Sequence, residues 1–171
     1  GSKPGSEVER RLKQMNGKTI RTALVSTVWI LAIAAGSLQA APSATEAART
    51  SALAVMEDFL LAFNARDEEA WAETLVYPHV RMASGSVVVY QDREAFLAAM
   101  DLDAFAANTG WRRSTWDDMA IVQASPDKVH IRVVFSRFDA NDELIASFDS
   151  LYIIEPVNGR WGVRARSSFA P

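Results

Sequence analysis

Histidine and cysteine, the side chains that most readily do proton-transfer or nucleophilic chemistry near neutral pH, are scarce in this sequence. There are two histidines, His79 and His130, and no cysteine. His79 directly follows Pro78 at a helix-to-strand junction, where an imidazole can pass protons near neutral pH as a general base. It can equally be a structural histidine bonded to a backbone carbonyl. Arg81 shares its strand face. Further along, Arg132, Asp149 and Arg166 fall in runs that read as strands. Two guanidinium groups are suited to gripping one carboxylate, and Asp149 can orient one of them or act as the general base. Trp116 and Tyr152 offer an apolar wall and a hydroxyl donor, although aromatic residues in such strands more often serve as plain core. Other chemistries lack their residues. Two distant histidines without cysteine give no metal-ligand spacing, and there is neither a glycine-rich phosphate loop nor a Gly-x-Ser-x-Gly elbow. No metal and no cofactor is implied.

Four runs rich in β-branched and aromatic residues must position these groups: Ser114 to Gln123, Val129 to Phe138, Leu144 to Ile154 and Trp161 to Phe169. Ala124-Ser125-Pro126-Asp127, Asp139-Ala140-Asn141-Asp142 and Pro156-Val157-Asn158-Gly159 separate them. Each has a turn-forming composition, so neighbouring strands run antiparallel. With Ala140-Asn141 at one hairpin tip, Arg132 falls opposite Asp149 and Val134 opposite Ser147. With Asn158-Gly159 at the next, Asp149 faces Ser168, Leu151 faces Arg166 and Ile153 faces Arg164. One sheet face then carries His130, Arg132, Asp149, Arg164, Arg166 and Ser168. The other carries Ile131, Val133, Phe135, Phe148, Tyr152, Ile154, Trp161 and Val163, with Ser150 and Ser167. The charged face is either a solvent or dimer side, with Arg132 and Asp149 an ordinary cross-strand pair, or a binding site. A single bulge in a long bent strand would exchange part of the two faces.

Upstream, Ser43 and Glu46 have capping-box spacing, and Leu53, Met56, Phe59, Leu60 and Phe63 recur at three and four residues. This predicts a helix from Thr45 to Asn64. Asp67 can cap a short second helix that turns Trp71 and Leu75 inward and ends at Pro78. Strands Val80 to Ala83 and Val87 to Tyr90 flank the turn Ser84-Gly85-Ser86. Asp92 caps a third helix through Met100, and Leu102 to Asn108 either continues it or forms a loop before Gly110.

A chain of 171 residues with 49% hydrophobic and 23% charged positions fits one globular domain and excludes disordered, collagen-like and disulfide-stapled classes. The first forty residues hold six Lys/Arg against two Asp/Glu. The rest hold twelve against nineteen, a net of −7, with Lys128 the single lysine. Such an acidic body excludes nucleic acid as a partner. No charged residue lies between Arg21 and Glu46, and the apolar run Ala23 to Leu38 follows Lys18 and Arg21, the pattern of a secretory signal. The expected organisation is 1–14 as an upstream or added extension before Met15, 15–40 as a signal peptide or anchor, and 41–171 as the folded domain. Cleavage after Ala40 would make Ala41 the new N-terminus. Uncleaved, the stretch 22–45 approaches the ~20 residues that span a bilayer and would be the chain's one tie to a membrane. Export to the periplasm or the medium is expected, and the lack of cysteine suits an oxidising compartment.

The stretch Phe59-Leu60-Leu61-Ala62-Phe63-Asn64-Ala65-Arg66-Asp67, followed by Trp71, Leu75 and Gly159-Arg160-Trp161-Gly162-Val163, resembles the nuclear-transport-factor-2-like superfamily. That group includes polyketide cyclases, ketosteroid isomerases and limonene-epoxide hydrolases. The resemblance spans Thr45 to Pro171. It implies an α+β fold, a cone of order α-α-β-β-α-β-β-β-β, in which a curved, mainly antiparallel sheet wraps around the helices and a ligand pocket opens at one end. Where ketosteroid isomerases carry an aspartate base, His79-Val80-Arg81-Met82-Ala83-Ser84 has no carboxylate. Arg137-Phe138-Asp139 matches the Arg-x-Asp of limonene-epoxide hydrolases, but the last strand carries Arg164 and Arg166 where they have another aspartate. Gly159-Arg160-Trp161 and Arg166-Ser167 look similar to the end of the association domain of calmodulin-dependent kinases, a non-catalytic relative. The expectation is therefore an exported domain that binds a polar or anionic organic molecule through Arg81, Trp116, Arg132, Tyr152 and Arg166, assembled as a homodimer. The alternative is a cofactor-free isomerase, dehydratase or hydrolase with His79 or Asp149 as general base.

Overall fold

The computed structural model describes residues 42–171. The expected extension, signal or anchor segment and the cleavage point after Ala40 lie outside the described residues. Helix α1 spans Ala44–Ala65. It starts where the Ser43 hydroxyl accepts the Glu46 N–H at 3.2 Å, and it stops at Arg66, whose left-handed φ of 57° turns the chain away. Its buried stripe is Ala48, Ala52, Val55, Met56, Phe59 and Ala62. Asp67 caps α2, Glu68–Glu73, through the Ala70 N–H.

The second helix ends at Glu73 and not at Pro78. Leu75–Ala83 is already strand β1. Pro78 has no N–H to give a ladder, and it is tolerated because it falls where the pairing of β1 with the last strand is interrupted, between Leu75 and Val80. The turn at Ser84-Gly85 leads into β2, Ser86–Tyr90. Asp92 caps α3, Arg93–Ala99, and Asp101 caps a separate helix α4, Leu102–Thr109, so the stretch before Gly110 is neither a continuation nor a loop. Strands β3 (Arg113–Ser125), β4 (Lys128–Phe138), β5 (Leu144–Val157) and β6 (Arg160–Ser168) complete the chain.

The six strands form one curved sheet in the order β2-β1-β6-β5-β4-β3, antiparallel throughout except for the β1–β6 pair. The stripe of α1 packs against the inner row Val129, Ile131, Val133, Phe135, Tyr152, Ile154 and Val163, all at 6% exposure or less. Burial of such side chains gives roughly 1.5–3 kcal/mol each and dominates the stability of the cone. Where β6 passes β1 the backbones are close. A Cβ on Gly162 would lie 2.8 Å from Val76 Cγ1 and 2.9 Å from the Leu75 carbonyl carbon, so this crossing requires glycine.

Two register details correct the sequence reading. The loop between β4 and β5 occupies five residues, Asp139 to Glu143, because the Asp139 carboxylate accepts the N–H groups of Asn141 and Glu143. This slides the pairing by two, leaving the faces unchanged: Arg132 stands opposite Leu151, and Val134 opposite Asp149. Between β5 and β6 the expected register holds from Val157 to Ile154, after which Arg164 is an extra, bulged residue. Beyond it Ile153 pairs with Ala165, Tyr152 with Arg166 and Ser150 with Ser168. The bulge keeps Val163 facing inward and brings Arg166 inward as well, whereas Arg164 turns out to Glu155 and the Pro78 carbonyl, each at 3.0 Å.

Candidate functional site

A cavity of about 260 Å³ lies between the helices and the inner face of the sheet. Its apolar wall comes from Phe59 and Phe63 on α1, Trp71 on α2, Phe96 on α3, and Leu102 and Phe105 on α4. The sheet supplies the polar groups: His79 and Arg81 from β1, Tyr90 from β2, Arg137 from β4 and Arg166 from β6. His79 and Arg81 are two apart on one strand face, and Arg81 is the register partner of Arg166.

Three guanidinium groups therefore converge on one small space. Arg166 lies 5.9 Å from the ring centroids of both Phe59 and Trp71, and Arg137 lies 5.0 Å from Phe105 and 5.1 Å from Phe148. These cation–π contacts hold the groups without neutralising them. Among the described residues none of the three arginines has an ion-pair partner. Nε of Arg137 is buried without a hydrogen bond. The side-chain carboxylate that reaches the cavity, Asp101, accepts the Ala104 N–H at 2.7 Å as a helix cap. Burial and then the neighbouring Arg166 and Arg81 push Arg137 down to about 10, and burial followed by Arg166 lowers Arg81. Both shifts have the same cause: partial burial and the crowding of like charge.

His79 is 2% exposed, its ring stacked on Tyr90 at 6.2 Å with Phe96 edge-on at 6.4 Å. Its Nδ1 is 2.9 Å from the Val163 carbonyl, in the stretch where the β1–β6 ladder is broken. A carbonyl can only accept, so Nδ1 carries the proton and Nε2 is an acceptor. Burial pushes the imidazole down to about 4; the Val163 bond opposes this, while Arg166 and Arg164 reinforce it. The ring is neutral at pH 7.

The structure thus brings His79, Arg81 and Arg166 together and leaves the other sequence candidates elsewhere. Arg132 and Asp149 are exposed on the outer face, Arg132 paired with Asp118 at 2.5 Å and Asp149 alongside Val134. Trp116 sits in the core behind the cavity, its indole N–H donated to the Met56 carbonyl at 3.1 Å. Tyr152, 1% exposed, packs between Phe59 and Trp116; burial raises its pKa, and Arg166 beside it opposes that. His130 belongs to the outer face too. Sequence reasoning missed Arg137 as a site residue. The signal was the alternation Ile131, Val133, Phe135, whose next member is Arg137.

The architecture agrees with what the sequence matches. The family model described as NTF2-like protein (DUF6841) covers residues 49–168. The chain belongs to this NTF2-like family. No curated protein matches the chain in sequence. Among solved structures, this NTF2-like chain is similar to a protein of unknown function with a cystatin-like fold from Nostoc punctiforme. The TM-score is 0.60 and the identity 13%, over 72% of this chain and 90% of that one. An NTF2-like protein from Cytophaga hutchinsonii is similar at TM-score 0.54 and 22% identity, over 72% and 98%. A Catenulispora acidiphila protein solved in complex with S-DNPA is similar at TM-score 0.57 and 15% identity, over 72% and 93%. These likenesses show the fold alone.

Proposed function

We propose that this NTF2-like domain is an exported binding protein whose cavity takes a small organic carboxylate. The observation that carries the reading is the convergence of Arg81, Arg137 and Arg166 on an aromatic-walled cavity with no ion-pair partner among the described residues. Three half-buried cations facing one cavity are costly to hold together, and an anion that enters relieves both their mutual repulsion and their partial loss of hydration. The aromatic wall favours an anion with an apolar body over an inorganic one. Size sets the scale, since a cavity of about 150 Å³ holds benzene, and 260 Å³ admits a ring with a short acid arm. The Catenulispora protein, of similar fold, was solved in complex with S-DNPA.

Export is part of the proposal, supported by the uncharged run between Arg21 and Glu46. So is a homodimer through the outer sheet face, supported by exposed apolar residues there such as Leu151. The enzymatic alternative retains His79, since Asp149 lies outside the cavity. An imidazole held neutral down to about pH 4 is a poor general base at neutral pH, and binding is the better account. Benzoate at millimolar concentration is expected to raise the melting temperature, and Arg166→Ala to abolish the rise. A rise that is unchanged in that variant overturns the reading.

A further inference from the structure

The cavity's polar groups are unequal. Its three guanidinium groups can only donate hydrogen bonds, and a carboxylate, which only accepts, satisfies them. His79 is the opposite case. Its Nδ1–H is committed to Val163, and among the described residues no donor reaches its Nε2, although Arg81 and Arg166 stand on neighbouring positions of the same sheet face. Tyr90 is stacked on the ring, Phe96 stands against its edge and the residue is 2% exposed, so an occupant of the cavity would cut this acceptor off from what water reaches it. A simple carboxylate would leave it without a partner, and an unpartnered buried acceptor weakens any complex. An occupant that satisfies the whole cavity offers a carboxylate to the arginines and a donor to His79. That donor is not an ammonium, which the three arginines would repel. It is a hydroxyl.

We infer that the ligand is a hydroxycarboxylic acid, its hydroxyl donating to Nε2 of His79 while Arg81 and Arg166 hold its carboxylate. This rests on the carboxylate-binding reading above. Residues two apart on a strand are separated by about 7 Å, so hydroxyl and carboxylate belong on the same or adjacent carbons, with the apolar remainder against Phe59, Trp71 and Phe96. His79 is then the residue that selects the hydroxy acid from its deoxy analogue, because an acceptor-lined site loses a partner when the hydroxyl is missing.

The test uses the full chain and two acids that differ by one hydroxyl, phenylacetate and mandelate, titrated by calorimetry. Mandelate, in one of its enantiomers, is expected to bind about tenfold more tightly than phenylacetate. In His79→Phe the two acids should bind within about twofold of each other. A second reading needs no variant: the 15N resonance of His79 Nε2 should move upfield with mandelate and stay in place with phenylacetate. Equal affinity of both acids for the native chain, a preference that survives in His79→Phe, or an unmoved Nε2 resonance overturns the inference while leaving carboxylate binding intact. If neither acid binds and Arg166→Ala changes nothing, the binding reading itself falls, and this inference with it.

Discussion

Stability between pH 4 and pH 7 isolates His79. In the unfolded chain its imidazole titrates near the ordinary 6.5, whereas in the fold it is pushed down to about 4 by burial, with Arg166 and Arg164 adding to the effect. Between these values the unfolded chain binds a proton that the folded chain refuses, so stability rises with pH across the window. The contribution is complete above about pH 6.5 and is lost as pH falls toward 4. A gap of about 2.5 units, at 1.36 kcal/mol per unit, amounts to about 3 kcal/mol in full, of which about 2 kcal/mol is lost between pH 6.5 and 5. Glu155 also favours the folded state at higher pH. Burial pulls its carboxyl up, but bonds to Lys128 and Arg164 hold it below the ordinary carboxylate range, so its loss falls lower on the pH scale. The assay is urea denaturation at pH 7.5, 6 and 5 for the native chain and for His79→Phe, which keeps a ring against Tyr90 and Phe96 but cannot titrate. The variant gives up the Val163 hydrogen bond, about 1 kcal/mol at every pH, and its stability should be nearly flat from pH 7.5 to 5. An equal slope in both proteins would refute the assignment of this proton to His79.

Other outcomes follow from the same geometry. Arg137→Met removes a half-buried guanidinium that lacks an ion-pair partner among the described residues, with its Nε buried and unbonded, while keeping apolar bulk against Phe105 and Phe148. The ligand-free chain should gain about 1 kcal/mol in denaturant titration and lose about tenfold in carboxylate affinity; a loss of stability would mean that the charge is compensated. Gly162→Ala pushes a methyl group into Val76 and the backbone at Leu75, and should destabilise the chain by at least about 1–3 kcal/mol. A melting temperature within one degree of native would remove the close crossing of β1 and β6 from the account. If the head is a cleaved signal, the exported chain begins at Ala41 by intact-mass measurement; an uncut chain in the membrane fraction would make it an anchor. Light scattering on that material should give twice the chain mass, and a monomer at all concentrations would remove the outer-face dimer.

Much of the fold was legible because local chemistry and tertiary demand agree. Ser43, Asp67 and Asp92 each stand at a helix start where a short acceptor is needed. The alternation of Ile131, Val133 and Phe135 faces the core as its period requires. The end of α2 was misread because proline suggested a helix stop, whereas Thr74 closes the helix four residues earlier and Pro78 sits inside an interrupted strand. The site was legible only in part. His79 and Arg81 are placed by simple alternation. Arg166 reaches the cavity because Arg164 bulges, a choice set by its contacts to Glu155 and Pro78 across the sheet and absent from any local pattern. Arg132 and Asp149 resembled an inward pair only while Arg166 was assumed to share their face. When one residue is inserted in β6, the charged set divides, and its two halves lie on opposite sides of the sheet.

A crystal of the protein soaked with 4-bromobenzoate tests the central claim most directly, since the bromine locates the acid by its anomalous signal. The account predicts one dominant peak inside the cavity, with bromine against the Phe59 and Trp71 rings and the carboxylate within hydrogen-bond distance of Arg166 and of Arg81 or Arg137. A peak on the outer face beside Arg132, or a cavity that stays empty at saturating acid, would contradict it.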